Sequence, residues 1–124
     1  MTQERLEKEV MNLLVAGESE ECKALQQQFA HSKITGRDFT GCGFYTYFEI
    51  PDEYKFNNLH GRIDDVHATL KNPDDAILFI LWVRDGKMAT LEGVQWSNLE
   101  WLNDYIGAEF GYALKDKRRY ELEL

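Results

Sequence analysis

The sequence predicts an α+β fold, with an N-terminal helical hairpin packed on a meandering, mostly antiparallel sheet of about five to six strands and a short C-terminal helix. Three observations predict it. Apolar residues recur at helical spacing up to Phe29 and again after Ser97. From Lys33 onward, β-branched and aromatic residues alternate at the strand period. Glycine-bearing turns separate the alternating stretches, as in a meander rather than a chain of crossovers.

Each element follows from local chemistry. Thr2 caps a first helix whose Leu6, Val10, Leu13 and Leu14 share one face, and Gly17 stops it. Ser19, followed by Glu20 and Glu21, opens a second helix with Cys22, Leu25 and Phe29 as its buried stripe. Ile34 and Phe39 have opposite parity, so a bulge near Gly36 is expected if both face the core. In the next strand Phe44, Thr46, Phe48 and Ile50 oppose Tyr45, Tyr47 and Glu49 until Pro51 ends it.

A polar loop over 52–61, anchored by Tyr54 and Phe56, leads to a third strand with Val66, Ala68 and Leu70 inward. Asn72, Pro73 and Asp74 supply a type I turn. The fourth strand is apolar on both faces, with Ile77, Phe79, Leu81 and Val83 against Leu78, Ile80 and Trp82, which marks a central strand covered on both sides. Asp85 and Gly86 turn it back through Met88 to Glu92. Ser97 to Glu100 match a capping box opening the short helix, with Leu99, Leu102 and Ile106 on one side and Gly107 after it. In the tail, Tyr120, Leu122 and Leu124 alternate as a last strand.

The helix, glycine, acidic turn, helix opening resembles a family of small uncharacterised bacterial proteins. So do Arg37 to Phe44, Asp65-Val66-His67-Ala68, Val83-Arg84-Asp85-Gly86 and Leu91-Glu92-Gly93. The resemblance implies architecture only and carries no activity. After Gly93 the sequence departs from it, with Val94, Gln95 and Trp96 standing where such relatives are tyrosine-rich.

Composition narrows the function. With 124 residues, 44% hydrophobic and 13% aromatic, residues 1–124 form a single domain with one core. A net charge of -8 argues against nucleic acid and anionic membrane surfaces and favours a basic partner or none. The charged start, Met1 to Lys8, and the short longest apolar run, Ala76 to Val83, show no export or membrane segment. Cys22 and Cys42 lack the spacing of a metal knuckle or redox pair, so a cytoplasmic setting is expected.

No cofactor is expected. Gly41-Cys42-Gly43 leads into a strand, with Thr46 where a nucleotide loop has its third glycine, and reads as a tight turn. Asp65 and His67, two apart on one strand, could share a metal with His60, Asp64 or Cys42. An ordinary solvated strand face explains them without one, and no metal is assigned.

Nucleophilic catalysis finds little support. Ser19 and Ser97 are helix caps, Ser32 lacks a motif, Cys22 lies on an apolar stripe, and Cys42 needs His60 or His67 beside it. Lys115, Lys117, Arg118 and Arg119 form a basic cluster that guards a strand edge or binds phosphate.

The aromatic residues with polar handles are the better candidates, since they suit either an interface or a second small core. Tyr45, Tyr47, Asp65, His67, Trp96 and Trp101 are therefore the candidate binding residues. Two functions follow. The first is a noncatalytic protein-binding module, immunity- or antitoxin-like in one version, with a protein partner or a second copy as a homodimer. The second is a small enzyme or small-ligand-binding protein with a pocket between the sheet and the C-terminal helix, lined by Tyr45, Tyr47, Asp65, His67 and Cys42.

Overall fold

The computed structural model describes residues 2–57, 59–69, 76–95 and 108–112. The chain runs α1 (Gln3–Leu14), α2 (Glu20–Ala30), β1 (Lys33–Phe39), β2 (Gly43–Glu49), β3 (Gly61–Thr69), β4 (Ala76–Arg84), β5 (Lys87–Gln95) and β6 (Glu109–Tyr112). The six strands form one sheet in the order β1-β2-β5-β4-β3-β6, and every neighbouring pair is antiparallel. The α+β expectation stands. The expected turn at Asn72 to Asp74, the helix over 97–106 and the tail strand lie outside the described residues, as does Leu70. The C-terminal region contributes the short β6, which pairs with the outer edge of β3.

Both helix starts follow the sequence. The Thr2 hydroxyl accepts from the Arg5 amide at 3.2 Å, and the Ser19 hydroxyl accepts from the Cys22 amide at 3.1 Å, each filling an orphan donor of a first turn. Leu6, Val10, Met11 and Leu14 of α1 and Leu25 of α2 are fully buried. They pack on one face of the sheet against Phe44, Val66, Ala68, Ile77, Phe79 and Leu81. Cys22 is only half-buried, and the second buried residue of α2 is Gln28.

That inner face contains two polar knots. Glu7, on the apolar stripe of α1, is 2% exposed. It accepts a bidentate pair from Arg37 Nε and Nη2 at 2.8 and 2.7 Å, and a bond from the Thr46 hydroxyl at 2.5 Å. This hydrogen-bonded pairing raises the Arg37 guanidinium further above its already high value. Gln28, also buried, donates from Nε2 to the carbonyls of Tyr54 (2.9 Å) and Gly86 (2.8 Å) and accepts from the Met88 amide at 2.8 Å. Each knot satisfies groups whose burial would otherwise cost free energy.

The β4–β5 hairpin turns at Asp85 and Gly86, both with positive φ, as a two-residue turn of the primed type requires. Gly86 is fixed by packing as well, because an added Cβ would lie 2.6 Å from the Phe56 carbonyl oxygen. The loop before β3 docks on this turn: the Phe56 amide donates to Gly86 O, the Gly86 amide donates to Leu59 O, and Leu59 is fully buried.

Besides a register shift between Trp82 and Val83 in the β4–β5 pair, two irregularities depart from simple alternation. The bulge expected near Gly36 is present, but Ile34 and Phe39 are 41% and 53% exposed. Their strand is an edge strand, so neither joins the core. A second register shift falls between Ile63 and Val66, both buried and facing the helices. Asp64 and Asp65 occupy the bulge, and β3 therefore starts at Gly61, earlier than its Val66–Ala68 alternation suggests.

Candidate functional site

The face of the sheet opposite the helices carries the candidate site. Because strand residues alternate, burial of Thr46, Phe79, Leu81, Leu91 and Ile63 on the helix side fixes their neighbours on the other side. Cross-strand register then arranges the outer face in rows. One row runs Tyr47, Thr90, Trp82, Arg62; the next runs Tyr45, Glu92, Ile80 to the Asp64–Asp65 bulge; a third runs Gly43, Val94, Leu78, His67. Tyr45, Tyr47, Trp82, Ile80, Leu78 and Val94 are all half-buried.

On the opposite, helix side of these strands the buried Phe44 pairs with Gly93, and its ring fills the space a Cβ of residue 93 would need, 2.3 Å away.

The polar atoms of the aromatic rings are committed to carboxylates. The Trp82 indole N–H donates to Glu92 Oε1 at 3.0 Å, and the Tyr47 hydroxyl donates to Asp38 Oδ2 at 2.7 Å. The charge of Glu92, with a hydrogen bond to it, holds the Tyr45 hydroxyl above its ordinary titration range. The hydrogen bond to Asp38 does the same for Tyr47. The two tyrosine rings lie nearly parallel, with centroids 6.5 Å apart and an interplanar angle of 11°. The β2–β5 side of the face is thus aromatic and acidic.

The β3–β4 side differs. Arg62 sits beside Trp82 in the register, with its guanidinium 3.5 Å from Asp64, and Arg84 and His60 lie near the same corner. Together with Asp85 and Trp82 they line a surface groove of about 630 Å³. This corner is richer in cations than the opposite flank.

Of the sequence candidates, Tyr45 and Tyr47 fall side by side on this face. His67 lies on its far flank, three strands from β2, about 14 Å at ordinary strand spacing. Asp65 is fully buried in the bulge. Trp96 and Trp101 lie outside the described residues. Cys42, exposed in the β1–β2 turn, stands three strands from His67, and His60 is at the opposite end of the sheet. A thiolate–imidazole pair is therefore not assembled from these residues. Among the described residues no group of three or more His, Cys, Asp or Glu is placed to hold a metal. None of their helices is long and apolar enough to cross a membrane.

Sequence reasoning missed Trp82, Glu92, Asp38 and Arg62 as members of the site. The expected meander would set β2 beside β3, whereas the sheet pairs β2 with β5 and β3 with β6, so local signals could not bring these residues together. Once β2 and β5 pair, the carboxylate of Glu92 stands beside Tyr45. In comparisons with protein-family models, curated proteins and solved structures, the chain finds no significant match.

Proposed function

We propose that this chain is a noncatalytic protein-binding module, cytoplasmic in setting, that works through the outer face of its sheet. The observation that carries the reading is the row-by-row pattern of that face. Half-buried rings and aliphatics occupy its centre, and its indole and phenol polar atoms are directed to Glu92 and Asp38. Large, stiff amphipathic rings with fixed polar ends give much contact area at little entropic cost, which is what protein interfaces select. The resemblance to small bacterial proteins fits a module of this size but supplies no activity.

In the concrete version, an immunity- or antitoxin-like role, the acidic helical hairpin holds a basic protein. The net charge of -8 supports it, as do Glu4, Glu9, Glu18 and Glu20, exposed on and between the helices.

The test is affinity capture from the native cell with the wild-type chain and with a Tyr45→Ala/Tyr47→Ala/Trp82→Ala variant of matched thermal stability. The reading expects a stoichiometric protein partner that the triple variant no longer retains. A partner retained equally by both, or catalytic turnover of a small molecule dependent on these residues, overturns it.

A further inference from the structure

Resting on that reading, we infer that the protein seated on the outer face is a second copy of this chain, docked about a two-fold axis parallel to β4. Under that operation two of the three rows of the face meet complementary images, whereas the alternative stacks carboxylates on one another. Its two central strands carry the apolar residues Leu78, Ile80, Trp82 and Val94. Its two flanks differ in chemistry, with Tyr45, Tyr47 and the carboxylates on one and Arg62 with its basic corner on the other.

A face-to-face homodimer is isologous, so each residue meets the image of another on the same patch. A two-fold axis running along the strands between β5 and β4 lays β5 over the partner's β4 and β2 over the partner's β3, at the same height along the strands. Val94 then meets the second copy's Leu78, Thr90 meets its Trp82, and in the middle row Glu92 meets its Ile80 and Tyr45 its Asp64–Asp65 bulge. Tyr47, with Asp38 bonded to its hydroxyl, meets the guanidinium of Arg62.

An axis across the strands would instead lay β2 over β2 and β5 over β5, stacking Glu92 and Asp38 on their own images. Like charges reject that docking. The chosen axis also keeps the strand directions of the two sheets nearly aligned, as face-packed sheets are. Four strands at about 4.8 Å spacing and seven to nine residues at about 3.3 Å give roughly 550 Å² per copy, about 1,100 Å² for the pair, the size of a weak, concentration-dependent interface.

The test is the mass of the full chain by native mass spectrometry and sedimentation over a concentration series. It is run on wild type, Arg62→Glu, Trp82→Ala, the charge-swapped pair Arg62→Glu/Asp38→Arg, and Lys8→Glu on the helical side as a control. Circular dichroism verifies that each is folded. The expected result is a concentration-dependent dimer, weakened about tenfold or more by Arg62→Glu and by Trp82→Ala, unchanged by Lys8→Glu, and recovered in the swapped pair.

A chain that stays monomeric at every concentration overturns the second copy as occupant, while capture by the outer face remains decided by its own experiment. A dimer indifferent to Arg62→Glu and Trp82→Ala forms elsewhere and overturns the inference. A dimer broken by Trp82→Ala but not recovered by the charge swap overturns the proposed axis.

Discussion

One strand separates two regimes. On the helix side of β4, Ile77, Phe79, Leu81 and Val83 are at most 2% exposed. Buried polar groups nearby, Glu7 and Gln28, have fixed protein partners. On the other side Leu78, Ile80 and Trp82 are half-buried, and the neighbouring polar atoms sit at ring tips and carboxylates at the boundary with water. The same backbone carries stability on one face and a contact surface on the other. The division rests on coverage, since both described helices pack on the same side.

The sharpest way to break this comparison is truncation on the two faces of the one strand. Phe79→Ala should lose about 3–5 kcal/mol by leaving a cavity among buried neighbours, whereas Trp82→Ala should lose about 1 kcal/mol. Urea unfolding of the two variants reads the difference, and equal losses would show that the outer face is a second core. Next in size is Glu7→Ala, expected to cost about 2–4 kcal/mol because it strands Arg37 and the Thr46 hydroxyl in a mostly buried site. Glu7→Gln, which keeps an acceptor, should cost less. Gln28→Ala follows at about 2–3 kcal/mol, since it leaves the buried Met88 amide without its acceptor.

The smallest effect is on proton binding at the surface. Folding raises the Tyr45 and Tyr47 hydroxyls, so their contribution to stability is present below the ordinary tyrosine value of 10.0 and is lost as pH rises through the folded values. Nuclear magnetic resonance of ring-labelled tyrosine should show Glu92→Gln returning Tyr45 toward its ordinary range while Tyr47, held by Asp38, moves little. A Tyr45 titration unmoved by that change would remove Glu92 from the site.

Much of the fold was legible because its signals are local. Thr2 and Ser19 announce helix starts, Asp85-Gly86 announces a hairpin, and the two-sided apolar pattern of β4 announces a central strand. What escaped was set by contacts distant in sequence. Glu7 interrupts an apolar helical stripe and becomes legible only when Arg37 and Thr46 are brought over it. Leu59 sits in a polar loop yet is core, because the hairpin tip folds over it. The Asp64–Asp65 bulge places Ile63 and Val66 three apart on one face, which breaks the two-residue period that strand reading depends on. The site was half legible: Tyr45 and Tyr47 share a strand, but Glu92, Trp82 and Arg62 join them only through register across three other strands.

The tip of the β4–β5 hairpin also bears on how long the fold lasts. A two-residue turn is ordinarily free at a meander's rim, yet Gly86 and Met88 are tied to Gln28, some 60 positions earlier, and to Phe56 and Leu59. Contacts of such separation reward the chain only after their loops have closed, so they belong to the late part of folding. Stopped-flow kinetics of Gln28→Ala should therefore show faster unfolding with little change in the refolding rate, and equally slowed refolding would place this knot in the nucleus instead. In this arrangement the turn has little say in how quickly the sheet assembles; it governs the lifetime of the native state.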